Sequence, residues 1–209
     1  FAPITLLGQF DLGIFAAAKG RFASLKDVLA HARAHPGKLN IGTITPGSTQ
    51  HLSAKLFETV AGIDAVVVPY KGSPAVLGAL RAGEVDIAFE VLGPMLPQVA
   101  AGVVTALAVS SEHRNPALPD VPTAQQAGVP RYNVASWNAL AAPAGTPPEV
   151  VQRLGQAARE ALASPEVQAR LGKLGVRLQA STPGDLQALV ASEVRRWGEV
   201  IRAARIEPE

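Results

Sequence analysis

The run Gly42-Thr43-Ile44-Thr45-Pro46-Gly47-Ser48-Thr49-Gln50-His51 places glycines, hydroxyls and an imidazole between a β-branched segment and an amphipathic one. A loop that follows a strand and opens a helix is a natural anion site, because backbone donors and the positive end of the helix dipole converge there. The spacing nearly matches the phosphate-loop pattern G-x-x-x-x-G-K-[ST]. Ser48 stands at the lysine position, however, so the cation that would hold nucleotide phosphates is missing. A small carboxylate needs less charge, and neutral donors satisfy it. The plainer alternative is that Ser48 only caps the helix and the glycines only make the turn. His51 falls in the first helical turn, where the dipole disfavours an imidazolium, so it reads as a neutral hydrogen-bonding group rather than a metal ligand or a base.

A second loop of the same kind, Pro69-Tyr70-Lys71-Gly72-Ser73-Pro74, offers another helix start and a phenol. Glu90 ends the next strand at the same edge, where ligands of open α/β sheets usually sit. A carboxylate there repels an anion or recognises a donor such as an amine or hydroxyl. His31, His35 and His113 read as isolated surface residues. No G-x-S-x-G elbow, H-E-x-x-H pair or acidic metal cage occurs, so no catalytic residue, metal site or cofactor is expected and a binder is favoured over an enzyme.

The elements that must position these residues follow from periodicity. Leu39–Ile41 reads as a strand and residues 48–61 as a helix with Leu52, Leu56, Phe57 and Val60 on its apolar face, stopped by Gly62. Ala65–Val68 reads as a buried strand ended by Pro69. Ser73 is placed to cap a helix whose first residue is Pro74 and whose stop is Gly83, ahead of the strand Val85–Phe89. A short helix over 94–101 and the strand Val103–Val109 follow. This alternation implies βαβ crossovers and a largely parallel sheet. The proline-rich stretch Ser111–Pro130 reads as an irregular crossing with a short helix at Thr123–Ala127, and Tyr132–Ala142 as extended chain. Helices over 147–163, 165–174 and 183–205 each open on proline, with Thr146, Ser164 and Thr182 at the cap positions, and Val176–Gln179 is a short strand. Near the other end, Ile4–Leu7 and Gly13–Phe15 are strand material and Ser24–His35 is a helix.

Composition narrows the class. With 48% hydrophobic residues and a net charge of +2, the 209 residues are globular rather than disordered. The absence of cysteine excludes a disulfide scaffold, a thiol nucleophile and thiolate metal sites. Basic residues are scattered except for Arg195, Arg196, Arg202 and Arg205, which read as a solvated helix face. With 5% aromatic residues there is no base-stacking platform, so no nucleic-acid partner is expected. The charge-free stretch Val91–Ser111 is interrupted by Gly93, Pro94, Pro97, Gln98 and Gly102, which break a membrane-spanning helix. No secretory signal is legible at the start.

Taken in order, Gly42-Thr43-x-x-x-Gly47-Ser48-x-x-His51-Leu52 and Val68-Pro69-Tyr70-Lys71-Gly72 resemble the Bug-type receptors, the extracytoplasmic solute-binding proteins of tripartite tricarboxylate transporters. Gly83-Glu84-Val85-Asp86, Ala106–Ser110, Pro116–Thr123, Ser136-Trp137 and Ala141–Pro147 extend the resemblance over essentially the whole chain. It implies an α/β, periplasmic-binding-protein type II-like fold and a periplasmic, non-catalytic receptor that hands a small carboxylate to membrane permease subunits. By position, Thr43, Gly47, Ser48, Thr49 and His51 line one lobe's side of the cleft, with Tyr70 and Glu90 nearby. The family commonly has aspartate and serine where this chain has Glu90-Val91.

Family members also begin with a strand–helix–strand section that has no counterpart here. The resemblance therefore implies one complete lobe, residues 14–134, and a partial lobe of residues 1–13 and 135–209 that lacks its N-terminal strand–helix–strand section. Carboxylate binding that is weak or absent, and self-association through the partial lobe, are the corresponding expectations. The alternative is the effector-binding domain of a LysR-type transcription regulator, which uses a similar two-lobed fold.

Overall fold

In the computed structural model, which describes residues 1–206, the alternation of apolar runs becomes seven strands and seven helices among the described residues. Contacts divide the chain into two units: a central unit of Asp11–Ala135 with the residues from Val200 onward, and a terminal unit of Phe1–Phe10 with Ser136–Glu199.

The central unit begins in the strand β1, Ala2–Ala17, and continues through α1 (Leu25–Ala34), β2 (Leu39–Ile44), α2 (Thr49–Ala61), β3 (Ala65–Tyr70), α3 (Ser73–Ala82), β4 (Ile87–Val91), α4 (Leu92–Ala100) and β5 (Val104–Val109). The strand order is β3-β2-β4-β1-β5. β2 pairs in parallel with β3, from Leu39↔Ala65 to Ile44↔Tyr70, and with β4 at Ile41↔Ile87 and Gly42↔Ala88. β1 is antiparallel to both β4 and β5. Four strands therefore share one direction and only β1 opposes them. This fits the largely parallel sheet expected from the βαβ pattern, with β1 as the exception. The shared direction brings the ends of β2, β3 and β4 to one edge, and the starts of α2, α3 and α4 with them.

Alternation along β4 builds two cores. Ala88 joins Phe15, Val76, Leu80, Leu92, Met95 and Val104 in one buried cluster. The next residue, Phe89, packs its ring on Phe57 of α2 at 5.3 Å and on Tyr132 at 6.3 Å. Helix ends follow local chemistry: Ser24 and Asp27 form a reciprocal capping box at α1, and Gly62 and Gly83 close α2 and α3 in the left-handed conformation.

The terminal unit holds β6 (Ala135–Ala142, whose first residue groups with the central unit), α5 (Pro148–Ala163), α6 (Pro165–Gly172), β7 (Val176–Leu178) and most of α7 (Pro183–Ala203). β7 pairs antiparallel with Gly8–Phe10 of β1, and β6 also pairs with β1. Thr182 caps α7 as expected, accepting from the Asp185 N–H at 3.1 Å while the Asp185 carboxylate accepts from the Thr182 N–H. Arg195, Arg202 and Arg205 are exposed, as a solvated face requires, whereas Arg196 is half-buried, lying over the Trp197 ring at 4.9 Å and pairing with Glu193.

Three local expectations need correction and one, the strand material near the start, is extended. Pro69 does not end β3 but lies within it, and Val66 is 46% exposed, because β3 is the edge strand, where a missing N–H costs no ladder bond. Ile4–Leu7 and Gly13–Phe15 are parts of one strand, joined through Asp11, whose carboxylate is buried and accepts from Asn115 at 2.8 Å. Thr123–Ala127 is a run of turns rather than a helix, with Thr123 bridged to Val109 and bonded through its side chain to the Gln126 N–H. Thr146 donates its hydroxyl to the Pro143 carbonyl at 2.8 Å, so α5 starts behind Pro147 without a side-chain cap.

Candidate functional site

The edge where β2, β3 and β4 end carries the residues singled out by type and spacing. Gly47 has φ +75°, with open space where a Cβ would sit, so glycine is required there for conformation and not for room. That turn sets Ser48 in extended backbone as the N-cap of α2, its hydroxyl accepting from the His51 N–H at 3.2 Å. The capping role is thus real. It leaves the rest of the first turn of α2 as a cluster of donors at the positive end of the helix, as at any helix start.

Around this turn the side chains are buried. Glu90, at 0% exposure, accepts from the Gln50 side-chain amide at 3.3 Å and from the Ser73 hydroxyl at 2.9 Å, both on Oε2. Oε1 of this carboxyl is buried without a partner. Burial pushes the Glu90 carboxyl up from its ordinary value, and the bonds from Ser73, Gln50 and Val91 oppose that rise. Ser73, expected to cap α3, directs its hydroxyl to Glu90 instead; the N-cap is Gly72, at φ +87°.

His51 is 8% exposed and its Nδ1 is buried without a partner. Burial, and secondarily the Lys55 ammonium, holds its pKa below the ordinary 6.5, so the ring is neutral at pH 7. This agrees with the neutral state read from the sequence. Thr43 is fully buried and donates its hydroxyl to the Ile44 carbonyl at 3.1 Å.

Ser48, Thr49 and His51 therefore share one turn with Gln50, which ties that turn to Glu90. Tyr70 has no bond to this network; burial first, and then the Glu84 carboxylate, raise the pKa of its phenol. Gln50 and Ser73 are the members that reading by type overlooked as site residues. The signal that finds them is strand register, since Gly42↔Ala88 brings the end of β4 beside the starts of both helices.

Elsewhere, His31 and His35 are not isolated. Their rings stack at 4.6 Å and His31 also meets Phe22 at 5.5 Å. Among the described residues no group of three or more His, Asp or Glu gathers to hold a metal, and no helix is long and apolar enough to cross a membrane.

A parallel-sheet edge at which helices start is where open α/β sheets hold their ligands. The chain belongs to the tripartite tricarboxylate transporter family of receptors, whose pattern it matches over residues 1–206. It is 35% identical over 207 residues to the UPF0065 protein in the tcbD-tcbE intergenic region of Pseudomonas sp. (strain P51), covering 99% of this chain and 62% of that one. It is 30% identical over 200 residues to Protein BugT of Bordetella pertussis, covering 96% and 61%. The solved structure of Rpa4515 of R. palustris with adipate superposes with a TM-score of 0.90 at 34% identity, covering all of this chain and 70% of that one. The chain thus spans just over three fifths of the length of these two curated relatives. The family is one of transport receptors, so the regulator alternative is not favoured.

Proposed function

We propose that this chain is the ligand-binding part of a non-catalytic periplasmic receptor that takes up a small carboxylate and delivers it to the membrane subunits of a tripartite transporter. One observation carries the reading: the match to the receptor family over residues 1–206. The adipate held by the R. palustris neighbour supports a carboxylate as the ligand class. The first turn of α2, with Ser48, Thr49 and His51 and without a lysine or arginine, suits an anion bound by dipoles and neutral donors. Gly47 shapes that turn, Glu90 closes its buried side, and Thr43 and Tyr70 flank it.

The test is a ¹H–¹⁵N titration of the 209-residue chain with acetate, succinate and adipate up to millimolar concentration. Saturable shifts centred on the amides of Thr49, Gln50, His51 and Ser73 are expected. Shifts confined to other surfaces, or none with any of the three, would overturn the reading.

The same reading includes self-association through the terminal unit. Val150, Leu154, Leu174, Val190 and Val194 are all more than a third exposed there, and α5 fully buries only Gly155. Light scattering is expected to show mass rising with concentration; a constant monomer mass at high concentration would remove this part.

A further inference from the structure

Glu90 is the one acidic side chain at the carboxylate edge with no exposure, and it stands where an anionic ligand would least welcome a charge. Its bonds explain the placement. Gln50 is the second residue of α2 and Ser73 is the first of α3. Both donate to Oε2 of the same carboxyl, at 3.3 and 2.9 Å. A single group from the end of β4 therefore holds the opening turns of two helices.

Both donors lie at helix starts that follow glycine turns. α3 has no side-chain cap, and the loop before it turns at Gly72 in a left-handed conformation. The turn before α2 is likewise set by a glycine in the left-handed conformation. Two buried polar atoms without partners, Oε1 of Glu90 at the end of β4 and Nδ1 of His51 in the first turn of α2, belong to the two elements that the Gln50 bond joins.

We propose that Glu90 is a positioning residue for the carboxylate site: by accepting from Gln50 and Ser73 it fixes the first turns of α2 and α3 against the end of β4, so that the backbone donors of both turns are preorganised for the anion. This rests on the proposed receptor reading. It assigns Gln50 and Ser73 to the support of the site and explains why an acidic residue belongs beside an anion-binding turn. What matters is acceptor geometry rather than negative charge. Glutamine at position 90 keeps an acceptor for both donors, and alanine removes it.

The experiment compares E90Q, E90A and the wild-type chain in the succinate and adipate titrations, at a temperature where all three give dispersed, folded spectra. The Gln50 side-chain amide resonances are followed without ligand. E90Q is expected to bind within about threefold of wild type and to keep the Gln50 side-chain amide shifts. E90A is expected to bind roughly tenfold more weakly and to lose them. Rescue by E90Q separates positioning from a general loss of stability. If E90A matches wild type, or E90Q is as weak as E90A, the positioning role is wrong. Binding by E90Q tenfold tighter than wild type would make Glu90 a charge barrier and overturn it equally. Absence of carboxylate binding by wild type would remove the receptor reading and this role with it, whereas unchanged Gln50 side-chain amide shifts in E90A would remove the clamp alone.

Discussion

Phe57→Ala is expected to destabilise the central unit by about 4 kcal/mol, near the top of the range for truncating a buried aromatic side chain. Phe57 is fully buried on α2, with its ring 5.3 Å from Phe89 of β4 and 5.5 Å from Tyr132. Neither neighbour is free to collapse into the space left behind. Phe89 belongs to an interior strand of the sheet, and the Tyr132 hydroxyl is hydrogen-bonded to Ser53, one turn earlier on α2. The cavity therefore persists, and its cost adds to the lost transfer free energy. Against a usual domain stability of about 5–15 kcal/mol, this is a large share. Urea denaturation is the measurement: the midpoint falls sharply at unchanged slope. Val66→Ala, on the exposed edge strand, serves as the control and is expected to shift stability by less than about 0.5 kcal/mol. A loss below about 1.5 kcal/mol for Phe57→Ala would mean that the aromatic cluster repacks and does not anchor α2.

The anchoring matters because α2 carries the site. Phe57 fixes the middle of the helix on β4, and Gln50 fixes its first turn on Glu90 of the same strand. Core packing and the polar clamp thus act on one rigid element, which places Ser48, Thr49 and His51 at the sheet edge. The order of the strands is what permits this. β4 lies beside β2, so its end reaches the starts of the helices that follow β2 and β3.

The α/β class, the helix stops at Gly62 and Gly83 and the capping of α2 by Ser48 are legible from residue types, because each depends on a few neighbouring residues. The buried face of α2 is less legible. Leu52 and Phe57 are on it as periodicity requires, but Gln50, His51 and Ser53 are buried with them, whereas Leu56 and Val60 are only half-buried. A polar residue that is buried because a distant partner receives it has no local mark. Asp11 hides the continuity of β1 for the same reason: its partner, Asn115, lies far along the chain. Ser73 before Pro74 looks like a cap until the register shows Glu90 within reach of its hydroxyl. Local rules found the loops of the site, and long-range pairing decided which side chains meet there.

Glu90→Gln is expected to make folding less sensitive to pH and to stabilise the chain most at the alkaline end. Burial is the main influence on the Glu90 carboxyl and raises its pKa in the folded state, with hydrogen bonds from Ser73, Gln50 and Val91 only partly offsetting it. The side chains that bond it, Ser73 and Gln50, are uncharged. Between the ordinary carboxyl pKa and the raised folded value, the native state holds more proton than the unfolded chain. Stability must then fall as pH rises through that window, at a limiting slope of about 1.4 kcal/mol per pH unit, and level off above it. Below the ordinary value both states are protonated and Glu90 contributes no pH dependence. Glutamine removes the ionisation while keeping a carbonyl that accepts from Gln50 and Ser73. The wild-type and E90Q stability curves, from urea melts between pH 4 and pH 9, should therefore diverge with rising pH. Other ionisable groups affect both proteins alike and cancel in the difference. A difference that stays flat across this range, or that grows toward low pH, would show that the buried carboxyl is not held above its ordinary range and that its three hydrogen bonds outweigh its burial.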